Sequence, residues 1–297
     1  MHNLFRNKNR QIRAGWEILL LTAAIFAITM IVSFGVSLRV DSRQWFDQDG
    51  WVRIFKSNGL YMLITVWFTV RVLHKLPLIS IGLPRPDGAR FIQGFISGML
   101  LLTCISLLLW GFGSATFQGE WANPQFMRLD MVDLVITAVI AGICEEILFR
   151  GFIQHLLASR VGLYWAVAIT SVLFSLAHMA NPGYNGICFL NIVLIALIFS
   201  TMVIRTGNLY FAIALHISWN LFQGYVLGIA VSGNTPHGLY SLKLTGADWM
   251  TGGDFGVEGS LVTTLVLGLV FVFMLLAVKR GAGMRNTMGK GFGSVNR

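Results

Sequence analysis

Charge is what this chain has least of. Its 297 residues include only 22 basic and 13 acidic side chains, 12% of the total, where a soluble domain carries about 25%. Hydrophobic residues make up 55% and the mean hydropathy is +0.70. So few charges cannot wet the surface of so apolar a globule, which excludes a soluble protein and a disordered one. Cysteine is scarce too. Cys104, Cys144 and Cys188 all lie inside apolar runs, with no CxxC spacing. That excludes a disulfide framework and a zinc knuckle and reads as buried packing residues. There is no HExxH zinc signature either.

What is present is a series of apolar runs near the ~20 residues a membrane helix needs. Eight can be marked, at about 16–38, 59–73, 91–112, 131–157, 161–178, 187–203, 209–231 and 261–278. The expected fold is therefore all-α, a polytopic membrane helical bundle of about eight transmembrane helices. None of the runs reads as a cleavable signal peptide. Arg71 must snorkel at the end of the short second run. The charges between the runs alternate in sign. Arg6, Lys8, Arg10 and Arg13 lie in the N-terminal tail, and Lys279, Arg280, Arg285, Lys290 and Arg297 in the C-terminal one. Arg71, Lys75, Arg85, Arg90, Arg150, Arg160 and Arg205 fall in alternate connections. The other connections hold Asp41, Asp47, Asp49, Glu120, Asp130, Asp133, Asp248, Asp254 and Glu258. By the positive-inside rule the tails and the basic connections face the cytoplasm, which an even number of spans allows. The net charge of +9 thus reads as topology and implies no nucleic-acid partner. The Gly-, Ser- and Thr-rich segment 232–260 reads as a loop. The basic tail after Arg280 suits weak contact with an anionic inner leaflet. The chain divides into residues 1–130, a tail with three flanking helices; 131–231, a catalytic core of helices; and 232–297, an outer loop, the last helix and the basic tail.

Ionisable residues inside a span cost several kcal/mol, roughly 2.5–3.5 even on a permissive scale, so each one is a functional candidate. Three groups occur. In the fourth run, Glu145 and Glu146 are adjacent and diverge by about 100° on a helix. Glu146 and Arg150 share a face at i and i+4 and can pair. Glu145 is left without a local partner, free to serve as a general base. His178 closes the fifth run, where a snorkelling interfacial histidine is the competing reading. Asn181-Pro182 follows it and breaks the helix. In the seventh run His216 and Asn220 share a face, as oxyanion donors or as hydrogen-bond glue between helices. Counted from the cytoplasmic ends at ~1.5 Å per residue, Glu145 lies ~18 Å deep, His178 ~25 Å, and His216 and Asn220 roughly 10 and 16 Å. His178 fits worst. Together the groups support hydrolysis: a water held by Glu145 and His178, and an oxyanion held by His216 and Asn220. A zinc ion on Glu145, His178 and His216 is the less favoured alternative.

EEILFRG (145–151) resembles the EExxxR motif of the CPBP family, the type II CAAX prenyl endopeptidases and the bacteriocin-processing or immunity (Abi) membrane proteins. FSLAH (174–178) is similar to its FxxxH motif and HISWN (216–220) to its HxxxN motif. The order, and the placement on three spans, match as well. The resemblance covers about 131–224 and implies an intramembrane, glutamate-dependent endopeptidase. It implies that Glu145 and His178 activate water, that His216 and Asn220 form the oxyanion hole, that Glu146 and Arg150 support the site, and that no metal cofactor is needed. The implied partners are a peptide or membrane-protein substrate and the lipid bilayer. The expected location is a bacterial cell membrane, with both termini cytoplasmic. Two rival readings remain: a non-enzymatic immunity or scaffold protein that keeps the motifs, and a proton-coupled transporter.

Overall fold

The structure, a computed structural model, describes residues 5, 12–37, 58–118, 129–234 and 238–280. Arg6, Lys8, Arg10, Arg285, Lys290, Arg297, Asp41, Asp47, Asp49 and Glu120 lie outside the described residues, as do the side chains of Asp130, Asp133, Lys279 and Arg280.

The apolar runs fold as helices, because a backbone in lipid must satisfy its own hydrogen bonds. In chain order these are α1 (Ala14–Ser37), α2 (Asn58–Phe68, continued by a π turn at Thr69–Leu73), α3 (Gly88–Gly111), and α4 (Leu129–Glu146). A π turn at Ile147–Ile153 joins α4 to α5 (Gln154–Val161); α6 (Leu163–Leu176) and α7 (Gly186–Thr206) follow. Next come α8 (Tyr210–Asn220, continued by a π turn at Leu221–Val226), the short α9 (Asp248–Thr251) and α10 (Leu261–Arg280). The chain is mostly helical, and among the described residues three stretches, Ala14–Val32, Gly88–Gly111 and Gly186–Thr206, are long and apolar enough to cross a membrane. Large apolar side chains point outward from several helices, among them Phe26, Ile31, Trp110, Leu269 and Phe273. Such outward faces fit a lipid surrounding, where nothing is gained by hiding them. Helices of this length and composition, with such outward faces, suit an integral membrane protein.

Several expectations shift. The fourth run does not stop at residue 157 but continues as helix to Val161. Gly162 then turns the chain into α6 with φ +88°, a conformation open to glycine. The loop expected at 232–260 is partly ordered: β2 (Ser241–Leu244) pairs antiparallel with β1 (Ala115–Gln118), and α9 and two 3-10 turns follow. A four-residue strand of alternating burial is too short to announce itself in sequence. Cys144 and Cys188 are buried as expected, but Cys104 is exposed on the outer face of α3. Arg71 is exposed at the end of α2 and donates to the Leu76 carbonyl at 3.1 Å.

Helices α3 and α8 run side by side in the same direction, in close contact. A Cβ at Gly94 would collide with the Phe211 carbonyl, and one at Gly98 with Ser218 Oγ and the Leu215 carbonyl. This is small-residue packing, which lets backbones approach where lipid supplies no hydrophobic drive. The connections sort into two sets. At one end, Leu209 N–H donates to the Gly82 carbonyl at 2.9 Å and Tyr210 Oη to the Pro84 carbonyl at 2.8 Å. At the other, Thr245 N–H donates to Ser114 O at 2.9 Å and Asn181 Nδ2 to Ser232 O at 2.9 Å. The segment from Lys75 to Arg90 belongs to the first set, and Asp248, Asp254 and Glu258 to the second.

Candidate active site

At the end of α4 the two adjacent glutamates face different surroundings. Glu146 and Arg150 are fully buried, and Arg150 Nη1 donates to Glu146 Oε1 at 2.8 Å. The guanidinium lies over the rings of Phe174 (4.0 Å) and Phe199 (5.0 Å), a cation–π clamp of low dielectric. The same Glu146 oxygen accepts from His216 Nδ1 at 3.1 Å. One carboxylate therefore holds the charge of Arg150 and orients a ring on another helix.

Glu145 points the other way. Its side chain is 24% exposed, so water can reach it, whereas Glu146 is sealed at 0%. Among the described residues its Oε2 accepts no hydrogen bond. That oxygen lies 3.9 Å from His178 Nε2 and 4.0 Å from His216 Nε2. These distances are too long for a direct hydrogen bond and match groups sharing a third one between them.

The histidines are held by their far nitrogens. His178 Nδ1 donates to the Phe174 carbonyl at 2.9 Å. A carbonyl only accepts, so in the neutral ring Nε2 carries the lone pair, and that nitrogen faces Glu145. The ring sits in the turn after α6 and meets Phe174 edge-on at 5.0 Å. His216 stacks on Phe199 at 5.4 Å. Asn220 lies one turn beyond His216 and borders a cavity of about 30 Å³ that His178 and His216 also line. That is room for one or two waters. The structure thus gathers all six candidates, Glu145, Glu146, Arg150, His178, His216 and Asn220, around one centre.

The depths reconcile through packing. Glu145 is 16 residues from Val161 and His178 is 15 from Leu163, or about 24 and 22 Å on helices rising ~1.5 Å per residue. Helix α8 starts well above that end, because Leu209 packs against Gly151. Counted from this contact, Glu145 and His216 stand six and seven residues up, which puts them level.

Three participants were not visible from spacing. Trp219 Nε1 donates to Glu258 Oε1 at 3.2 Å, and Ser232 donates to Glu258 Oε2 through its backbone N–H (2.6 Å) and Oγ (2.9 Å). In sequence Glu258 is only one acid among several in a connection between apolar runs. Burial pushes its carboxyl above the usual range, while the Ser232 hydrogen bonds and the nearness of His178 and His216 work the other way. A second cavity, of about 570 Å³, runs between α1, α2, α4 and α6. Its walls include Ile18, Ile25, Met62, Ile140 and Leu173, and Glu145 and His178 stand at its edge.

Residues 127–222 match the family model of the type II CAAX prenyl endopeptidase, Rce1-like. The chain therefore carries an Rce1-like domain, in less than half of its length, and that segment contains all six candidate residues and excludes Glu258. No curated protein matches the chain.

Proposed function

We propose that this protein is an intramembrane endopeptidase that hydrolyses a peptide bond with a water activated by Glu145 and His178. The observation that carries the reading is the division of labour between neighbouring glutamates. Glu146 is sealed from water and holds Arg150 and His216 through Oε1, while Glu145 is reachable by water, and its Oε2, which accepts no hydrogen bond among the described residues, faces two imidazole Nε2 atoms.

A water between Glu145 and His178 donates one hydrogen to each, since both offer acceptors. Its lone pair then points at the substrate. Glu145 takes the proton as the oxygen attacks the scissile carbonyl carbon. In the imidazolium form, held by Glu146 at Nδ1, His216 donates from Nε2 to the oxyanion, and the Asn220 amide supplies a second donor. Each such donor contributes about 2.7–4 kcal/mol. Glu145 returns the proton to the leaving nitrogen, the C–N bond breaks, and a carboxylic acid and an amine result; the acid's proton then passes to the amine, leaving a carboxylate and an ammonium. The apolar cavity between α1, α2, α4 and α6 gives a membrane-embedded segment a way to the carboxylate. The proposed setting is a bacterial membrane crossed eight times, with both termini cytoplasmic.

A zinc ion on Glu145, His178 and His216 is the alternative at the same centre. Tetrahedral zinc with bonds of about 2.0–2.2 Å holds its donors roughly 3.3–3.6 Å apart, so donors 3.9–4.0 Å apart would have to draw together. Two measurements test the assignment. Membrane and secreted peptides of wild-type cells are compared with those of Glu145→Gln and His178→Ala cells. The expected outcome is loss of the product in both, a fall of roughly 100-fold or more, with insertion unchanged. Full activity in both variants refutes the protease reading. Cleavage in strong chelator is expected to persist, and its loss together with one equivalent of zinc in the purified protein establishes the metal mechanism.

A further inference from the structure

The centre is bordered by a third carboxylate. Glu258 lies in a 3-10 turn of the outer connection, far along the chain from the three motifs and outside the matched segment. It lines the same small cavity as His178, His216 and Asn220. Both its oxygens are engaged, Oε1 by Trp219 and Oε2 by Ser232. Its backbone carbonyl accepts from Asn191 Nδ2 on α7 at 2.8 Å. Trp219 directly precedes Asn220. Ser232 in turn accepts, at its carbonyl, the Asn181 amide from the turn that carries His178. One carboxylate thus joins the strand of chain behind the oxyanion pair to the turn behind the water-binding histidine. The joint is costly to build: Ser232 holds φ +45°, a left-handed conformation unfavourable for a residue with a Cβ. Such strain persists where surrounding contacts impose it, and it concentrates at functional sites.

We propose that Glu258 is a positioning residue of the hydrolytic centre, fixing Asn220 through Trp219 and His178 through Ser232 and Asn181. The proposal rests on the protease reading. Neither half of the site is braced against the other by its own helix: α6 ends before His178, and α8 opens into a π turn just after Asn220. The outer connection supplies the brace, and a misplacement near 1 Å can cost about 100-fold in rate.

The test uses the full-length protein in detergent with a peptide that the wild type cleaves. Glu258→Gln keeps the shape but turns one acceptor into a donor, which must oppose either Trp219 Nε1–H or Ser232 N–H. The expected result is a kcat lower by about 10- to 100-fold with KM within about threefold. Trp219→Phe removes the other partner, and the double variant is expected to be no slower than the worse single one. Multiplying effects, or a kcat per folded molecule at the wild-type level, overturn the proposal. The latter is what a merely structural role gives. A second readout does not depend on cleavage. In protein with ¹⁵N-labelled tryptophan, the Trp219 indole N–H resonance, assigned by its loss in Trp219→Phe, is expected to move in Glu258→Gln. An unmoved resonance overturns the joint itself. Retained cleavage in Glu145→Gln overturns the protease reading instead, and the indole shift tells the two failures apart.

Discussion

Arg150 is the largest of the fully buried side chains among the described residues. A guanidinium so placed is tolerable only while its counter-charge stays: Glu146 Oε1 at 2.8 Å, with the Phe174 and Phe199 rings on its faces. Removing one member of a buried pair leaves the other uncompensated, which costs about 3–5 kcal/mol. Glu146→Ala is therefore expected to lower thermal stability in detergent by that order and to cut activity as well, since His216 loses the acceptor at Nδ1. Glu145→Gln, by contrast, breaks no hydrogen bond among the described residues. It is expected to unfold near the wild-type temperature while being inactive. A thermal melt of both variants separates the two carboxylates, and equal melting temperatures would contradict the assigned roles. The division between them was legible in the chain: an arginine four residues after the second glutamate, and none after the first.

At the scale of helices, the close approach of α3 and α8 sets where His216 stands. Gly94 and Gly98 present no side chain toward α8, whose Phe211 and Leu215 carbonyls and Ser218 hydroxyl occupy the space. Gly98→Val is expected to force the helices apart and destabilise by about 1–3 kcal/mol. It should also reduce cleavage, because His216 rides on the displaced helix. Gly88→Ala, at the head of the same helix with nothing within 4 Å of the new methyl group, is the control and should be silent in a melt and in cleavage. The π turns belong to this scale as well. Ile147–Ile153 begins one residue after Glu146, and Leu221–Val226 one after Asn220. Such turns occur often at functional sites. Nothing in the composition of ILFRGFI or LFQGYV marks them, since they arise from what the helices meet on each side.

For the whole molecule, the sorting of connections into two sets carries a topological expectation. A cysteine placed at Arg85, in the set with Gly82 and Pro84, should react with an impermeant maleimide only from the cytoplasmic side. One placed at Asp248 should react only from outside. Labelling of intact cells and of inverted vesicles, with native cysteines replaced, reads this directly. Both sites reacting from one side would refute the proposed topology. The run ends do not lie in a common plane: α5 extends to Val161 while α8 begins beside Gly151, so a depth counted from each run's own end sets His178 too far from its partners.

The chain alone determined the class and the candidates. A composition 55% hydrophobic and 12% charged leaves only a membrane helical protein, and polar residues that violate an apolar run are conspicuous because burying them is costly. Helical periodicity, a local property, was enough to pair Glu146 with Arg150 and to set His216 and Asn220 on one face. Tertiary structure decided what periodicity cannot carry. The level at which each helix starts brought His178 and His216 each within about 4 Å of Glu145. The return of the outer connection over the centre made a loop acid, Glu258, a neighbour of both histidines. Both depend on contacts between residues far apart in the chain, such as Gly151 with Leu209 and Ser232 with Glu258. The energy of such contacts exists only once the helices are packed.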